Sequence, residues 1–492
     1  MIIKTLSKFK ALPLTVRAVF WFTVCNVIIK GISFISSFVF TRMIPQDEYG
    51  RLSIFSSYEH IILVFATWEI QQGAYTHGLF KFKDENREVF TSSMISLTNI
   101  LTISFFSILL LFNDPVAIFT GMNTVIILLL GISYVFNPAY TGWMTRKRIN
   151  YDYKPVVFAT LLFAILNVIV PVVVLQFYPR TAEVKFSTSI IVSSIFWLLF
   201  WIKSAKYSNI VVYFDAVKKY WKFMIRYEAP LVFHSLSFFL LNQADRIMIG
   251  KMVGNRETAL YSVAYSLAFV ITILQTSLDQ VLQPWRYHRL INKEYNDIQK
   301  VSNSLLLLYG ILVLVFILVA PEIMQIFYPA DYYEGIWCIP PVAAGAFFMF
   351  MYSLFVGIEM YFEQTKYILY VSLILGFVNI ILNYFGILSF GYIACAYTTL
   401  ICFILFAIGH YFFMKKTLRA AGTPVIYSAK NFVILGFGVI SLSVVISQIY
   451  HLIIVRYCFL LVICLSGIIL RKKIMSLINH FKEKNNSILS GY

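Results

Sequence analysis

The 492-residue chain is 60% apolar and only 13% charged, a balance that excludes a water-soluble fold, whose surface must be polar. Its net charge of +17 is not a nucleic-acid footprint, because Lys and Arg gather in the short connections between apolar runs, where they report membrane topology. Six scattered cysteines, Cys25, Cys338, Cys395, Cys402, Cys458 and Cys464, form no CxxC pair and no His/Cys cluster of metal-ligand spacing, so the sequence offers no metal site and the cysteines read as buried small hydrophobes.

In chain order, a basic lead at 1–13 enters an apolar run that continues to about residue 40 without a small-residue cleavage site, and it reads as a retained first helix. Windows of about 20 apolar residues then predict fourteen spans, at 14–40, 52–76, 89–112, 116–143, 154–177, 186–203, 227–250, 258–285, 300–327, 335–362, 367–388, 391–414, 427–449 and 451–470. With the N-terminus inside, the inner connections collect Lys81, Lys83, Arg87, Arg146, Lys147, Arg148, Lys218, Lys219, Lys222 and most other cations. The outer connections hold Arg42, Arg51, Arg180, Lys185, Lys251 and Arg256. The positive-inside bias predicts both termini in the cytosol.

The segment 204–226 places Phe214, Val217, Trp221 and Met224 at helical spacing opposite Lys218, Lys219 and Lys222. It is predicted to lie on the anionic leaflet, with a solvated linker as the alternative. Shifting the chain by 209 residues aligns Arg42–Ser57 with Lys251–Ser266, matching Met43 to Met252, Glu48 to Glu257, Ser53 to Ser262 and Ser57 to Ser266. Leu166-Asn167 and Leu382-Asn383 give a second, slightly offset echo. Six spans separate the copies, so the halves are parallel repeats related by an axis along the membrane normal. The expectation is an all-α polytopic bundle: N-terminus 1–13, N-lobe 14–203, linker 204–226, C-lobe 227–414, an additional helix pair 415–470 and a basic tail 471–492.

Span 1 carries Thr23, Asn26, Lys30, Ser33 and Ser37 at alternating spacings of 3 and 4, one face of a helix. Lys30 is too central to reach an interface, so it must meet water, an anion or a carboxylate such as Glu59 or Glu69. The repeat places Ser235, Phe239, Asn242 and Arg246 on the same face of span 7, with Asp245 as an alternative local partner for Arg246. Span 8 sets Thr272, Thr276, Asp279, Gln283 and Arg286 along one face, and span 2 offers His60 beside Glu59 and Glu69. Four polar faces from two halves are predicted to enclose a wet cavity. Asn379 and Asn383 read as interhelical hydrogen-bonders, and His410 as a satisfied bundle histidine.

Asn26–Tyr58 resembles the first helix pair of bacterial polysaccharide flippases, the O-antigen (Wzx-like) branch of the multidrug/oligosaccharidyl-lipid/polysaccharide exporter superfamily. Asn242–Leu267 is similar to that family's seventh and eighth helices, and Leu382–Ile401 to its eleventh and twelfth. The resemblance spans about residues 14–414. It implies a multi-pass protein of the bacterial cytoplasmic membrane, not an enzyme. Its cargo would be undecaprenyl-diphosphate-linked oligosaccharide, flipped to the outer leaflet by alternating access for O-antigen, capsule or exopolysaccharide assembly. A polysaccharide polymerase and chain-length machinery would be partners, and no nucleic acid is implied.

A diphosphate crossing low dielectric needs compensating charge, which makes Lys30, Arg246 and Arg286 the expected substrate-binding cations. Asn26, Ser33, Ser37, Asn242, Thr272, Thr276 and Gln283 are expected to line the cavity. Asp279, Glu59, Glu69 and His60 are the candidates for coupling to H+ or Na+, with no other cofactor. The acidity of Glu59 and Glu69 departs from a purely cationic lining. A drug or cation antiporter of the same superfamily is the alternative transporter. A membrane polymerase or ligase is disfavoured because the outer connections are short and carry no catalytic constellation.

Overall fold

The computed structural model describes residues 14–71, 73–83, 85–205, 214–463 and 465, and the predicted N-terminus 1–13, most of the first half of the linker and the basic tail lie outside them. Its helices are α1 (Leu14–Met43), α2 (Gln46–Thr67), α3 (Ala74–Lys81), α4 (Arg87–Leu111), α5 (Asn113–Thr120), α6 (Thr124–Ile149), α7 (Tyr153–Phe177), α8 (Ala182–Ala205) and α9 (Phe214–Met252). They continue as α10 (Asn255–Phe269), α11 (Thr272–Ile291), α12 (Tyr295–Phe327), α13 (Ile339–Tyr361), α14 (Thr365–Phe390), α15 (Ala394–Ala420) and α16 (Ala429–Gln448), then the short apolar α17 (Ile453–Ile463). A 3-10 helix, Ala330–Cys338, precedes α13.

Among the described residues, 11 helical stretches are long and apolar enough to cross a membrane, and the chain is an all-helical polytopic bundle. They correspond to the predicted spans except the second, seventh and fourteenth. The second and seventh, α2 and α9, are interrupted by Glu59 and His60 and by Glu228, Asp245 and Arg246, and the fourteenth is described only as α17.

Two compact units divide the chain, Met1–Ala259 and Leu260–Tyr492. The boundary differs from the lobes expected at 203 and 227, because α9 packs on α2, α3 and α4 and so joins the first unit. The repeat is nonetheless visible in helix ends. α1 ends at Met43 and α9 at Met252, while α2 begins at Gln46 and α10 at Asn255, each pair at the 209-residue offset. It is visible again in packing: α6 lies on α4 and α8, and α7 on α8; six spans later α13 lies on α12 and α15, and α14 on α15.

In the first unit, Phe40, Phe55, Tyr58, Leu130, Tyr134 and Phe186 interlock α1, α2, α6 and α8. The second unit is built on α13, an apolar helix covered almost all round, from Ile339 to Glu359. Its small residues admit close neighbours, as at Gly345, where a Cβ would press on the Phe403 ring of α15 at 3.1 Å. Pro340 and Pro341 start α13, where their missing N–H groups cost nothing.

Two local expectations are corrected. Predicted span 2 is not one helix to residue 76: α2 stops at Thr67, and Trp68 and Glu69 turn the chain with left-handed φ of 51° each. Predicted span 8 is broken after Phe269, where the backbone tightens into bonds from Val270 N to Leu267 O and Ile271 N to Ala268 O, and the Ile271 carbonyl accepts both Leu274 N at 3.1 Å and the Tyr309 hydroxyl at 3.2 Å. In residues 214–226, which form the first turns of α9, Val217 and Met224 of the apolar side are buried in protein, and Trp221 Nε1 donates to Ser93 O of α4 at 2.9 Å. Cys25, Cys338, Cys395 and Cys402 are buried as expected, whereas Cys458 of α17 is open.

Candidate functional site

The polar stripe of α1 is open for most of its length. Asn26, Lys30 and Ser33 are exposed, on a helix that packs principally on α7 with other residues. Thr23 returns its hydroxyl to Val19 O at 2.9 Å. Lys30, at the middle of a 30-residue helix, has no hydrogen bond or ion pair with any described residue, so neither of the carboxylates weighed as its partner neutralises it. Glu59 instead shares its electrostatic surroundings with Lys185, whose ammonium stands 5.1 Å over the Phe40 ring. Glu69 lies in the turn after α2, near the buried Glu228 carboxylate, which accepts Ala74 N at 2.6 Å and leaves no room for a Cβ at Gly73.

Toward the end of α1 the stripe joins a cluster built from α1, α2 and α9. Ser37 Oγ and Tyr49 Oη are 3.1 Å apart. Arg246, 8% exposed, donates from Nη1 to Asn242 O at 2.8 Å and to Gln243 Oε1 at 3.2 Å. The same Gln243 oxygen accepts Ser57 Oγ at 3.3 Å. The guanidinium also acts electrostatically on Tyr49 and His60, and the open His60 ring lies 4.9 Å from Phe239. Ser37, His60, Asn242 and Arg246, chosen from sequence, are thus brought together, and Tyr49, Ser57 and Gln243 complete the cluster. Asp245 is fully buried beside it.

In the second unit Arg286 is 3% exposed, and its Nη1 donates to Leu354 O at 2.5 Å and Ser353 O at 3.5 Å in the middle of α13. Gly357 leaves the space this guanidinium fills, since a Cβ there would overlap it. Asp279 Oδ1 accepts Ser353 Oγ at 2.8 Å and is electrostatically coupled to Arg286. Thr272 and Thr276 return their hydroxyls to Phe269 O and Ile273 O, and Gln283 Nε2 reaches Tyr287 Oη at 3.3 Å. The three cations therefore sit differently: Lys30 open and, among the described residues, unpaired, Arg246 buried in a polar cluster, Arg286 clamped onto helix carbonyls.

Sequence reasoning missed two polar locks and, for His410, which it read as satisfied within the bundle, missed the partner. Arg51 bridges Glu48 and Glu183, both at 2.9 Å, while Glu48 Oε2 accepts Ala182 N at the start of α8. The fully buried His410 and Glu359 meet at 3.0 Å between α15 and α13. Arg456 grips Glu322 at 2.6 and 2.9 Å and the Leu318 carbonyl at 2.8 Å. Only the Glu48/Arg51 spacing of three was visible beforehand; the other partners lie far away in sequence. Asn379 and Asn383 bond to each other within α14 and, as expected, to a second helix: Asn379 Nδ2 donates to Cys402 Sγ at 3.7 Å and Asn383 accepts the Thr398 hydroxyl of α15.

The fold is similar to that of solved structures of the lipid II flippase MurJ in an inward closed conformation, at TM-score 0.64 and 14% identity over 91% of this chain and 100% of that one. An inward-facing multidrug resistance MATE family transporter of the MOP superfamily superposes at TM-score 0.60 and 13% identity over 82% of this chain and 98% of its own. In sequence, an uncharacterized membrane protein of Haemophilus influenzae is 21% identical over 300 residues, 60% of this chain and 71% of the relative. The family model described as polysaccharide biosynthesis protein matches residues 15–288, more than half of the chain, and the chain belongs to that family.

Proposed function

We propose that the protein is a flippase that carries undecaprenyl-diphosphate-linked oligosaccharide from the cytosolic to the outer leaflet of a bacterial cytoplasmic membrane. Family membership and the flippase and transporter fold support the class of activity. The observation that carries the cargo is Lys30: a cation at the centre of an apolar helix, on its one polar face, with no hydrogen bond or ion pair among the described residues. Such a group costs about 2.5–3.5 kcal/mol or more in the bilayer, and its retention is accounted for when a mobile anion visits it. A diphosphate is that anion, and the Arg246 cluster further along the same unit is a second station. Arg286 has already committed Nη1 to α13 and acts here as a support for that helix.

The basic ends of the helices face the cytosol in this reading, with both termini there. Glu59, His60 and Asp279 are the groups whose charge would change with a coupling H+ or Na+. Lys30→Met, at unchanged membrane abundance, should abolish export of the surface polymer, and Lys30→Arg should retain it. Export by Lys30→Met equal to wild type would remove the cargo assignment.

The likeness to multidrug transporters supports a second reading, cation-coupled antiport of small amphipathic molecules. Uptake of organic cations by inverted vesicles under a proton or sodium gradient distinguishes the two.

A further inference from the structure

A cavity of about 260 Å³ opens at the basic end of the first unit, where the start of α4 meets the ends of α6 and α8. Arg146 from the last turn of α6 and Lys203 from that of α8 line it, together with Ser92, Ser204 and Glu88, and Trp143 and Phe200 form an aromatic wall. None of these residues belongs to the α1, α2 and α9 cluster.

The charges in this cavity differ from their neighbours. Lys147 is paired with Asp152 at 2.6 Å, Lys219 with Glu85 at 2.6 Å, and Arg148 stands over the Phe22 ring at 5.9 Å. Arg146 and Lys203 have no ion pair and no hydrogen bond among the described residues. Two uncompensated cations and the Ser92 hydroxyl face one small space, against the single carboxylate of Glu88. This is the donor set that a phosphate recognises.

Size and surroundings select the source of that phosphate. Cavities that enclose a drug-sized ligand run from roughly 300 to 1,000 Å³, so this one has room for a phosphate and a small headgroup and not for an oligosaccharide. Trp143 and Phe200 lie 4.8 Å apart, and Ile195, Leu199 and Ile202 of α8 are left bare, an apolar track for acyl chains. Basic pockets between spans on the cytosolic side are the sites where anionic headgroups lodge. We propose that this pocket binds the phosphate headgroup of an anionic membrane phospholipid, held by Arg146 and Lys203. The inference depends on the membrane orientation given above and not on the nature of the cargo.

The test is native mass spectrometry of the full-length protein from mild detergent, titrated with phosphatidylglycerol and, separately, phosphatidylcholine. Wild type should retain phosphatidylglycerol preferentially. Arg146→Gln and Lys203→Gln should each weaken it about 5-fold and the double variant roughly 25-fold, whereas Arg180→Gln, at an exposed position on another connection, should have no effect. Glu88→Gln should strengthen retention, and Ser92→Tyr, which fills the cavity without altering charge, should abolish it even where the double variant fails to fold. Equal retention by wild type and the Ser92→Tyr variant would overturn the proposal. So would displacement of phosphatidylglycerol from wild type by equimolar undecaprenyl diphosphate, which would assign the pocket to the polyprenyl carrier.

Discussion

Gly50 of α2 lies so close to the backbone carbonyl of Asn255, at the start of α10, that a Cβ on residue 50 would overlap the oxygen. Nearby, Gly250 of α9 makes a similar approach to the Ile54 side chain. Helices lacking a hydrophobic drive in lipid associate through such van der Waals fits.

Gly50→Ala is expected to destabilise the protein by about 1–3 kcal/mol, because the opposing atom is backbone and cannot rotate away. Gly250→Ala should cost less, since the Ile54 methyl end can move. Gly31→Ala, at a position with nothing within 4 Å, should be neutral or slightly stabilising. Thermal unfolding in detergent, monitored by tryptophan fluorescence, ranks the three.

Arg286→Lys should not substitute for arginine. A lysine lacks the planar fork that reaches the Leu354 and Ser353 carbonyls, and loss of a charged hydrogen bond costs about 1.5–3 kcal/mol. Gly357→Ala should lower stability through the same contact. Unchanged melting of Arg286→Lys together with lost export would return Arg286 to the cargo path.

The lock at Arg51 predicts a modest, salt-sensitive loss. The group is partly exposed, so Arg51→Met should cost about 1 kcal/mol or less, shrinking as ionic strength rises. Glu48→Gln should cost more than Glu183→Gln, because only Glu48 also accepts the α8 N-terminal amide. Melting at low and high salt checks the order.

Acid should loosen the start of α9. Hydrogen bonds from the Lys219 ammonium and the Tyr220 hydroxyl, both 2.6 Å, hold the Glu85 carboxyl below its usual value of 4.5. A depressed carboxyl contributes stability that is fully present above 4.5 and is lost as pH falls through the lowered value. Hydrogen exchange over residues 214–224 should therefore rise below about pH 4.5, and Glu85→Gln should flatten that rise.

The span pattern was legible because lipid imposes one rule, long apolar helices, on every crossing. The repeat was legible for a related reason: Met43 and Met252 end equivalent helices, and the 209-residue offset survives into the coordinates. The breaks after Thr67 and Phe269 were hidden, since apolarity continues through them while only the backbone turns. The amphipathic start of α9 was read as two-faced, but that protein covers Val217, Trp221 and Met224 was not legible, because periodicity identifies an apolar side without naming what covers it. Among the site residues, the Ser37, His60, Asn242 and Arg246 grouping followed from helical spacing. The Arg286 clamp did not, because its partners are main-chain oxygens, which leave no trace in side-chain chemistry.

The continuity of α9 has a mechanical consequence. Lys219, tied to Glu85 near one end, and Arg246, near the other, are separated by about 40 Å of a single helix at 1.5 Å per residue. Pro230, between them, is the one point in that rod without a backbone N–H. A bend at Pro230 would change the distance between the Glu85 anchor and the Arg246 guanidinium while leaving each end docked on its own neighbours. One helix thus joins the basic end of the unit to its buried polar cluster.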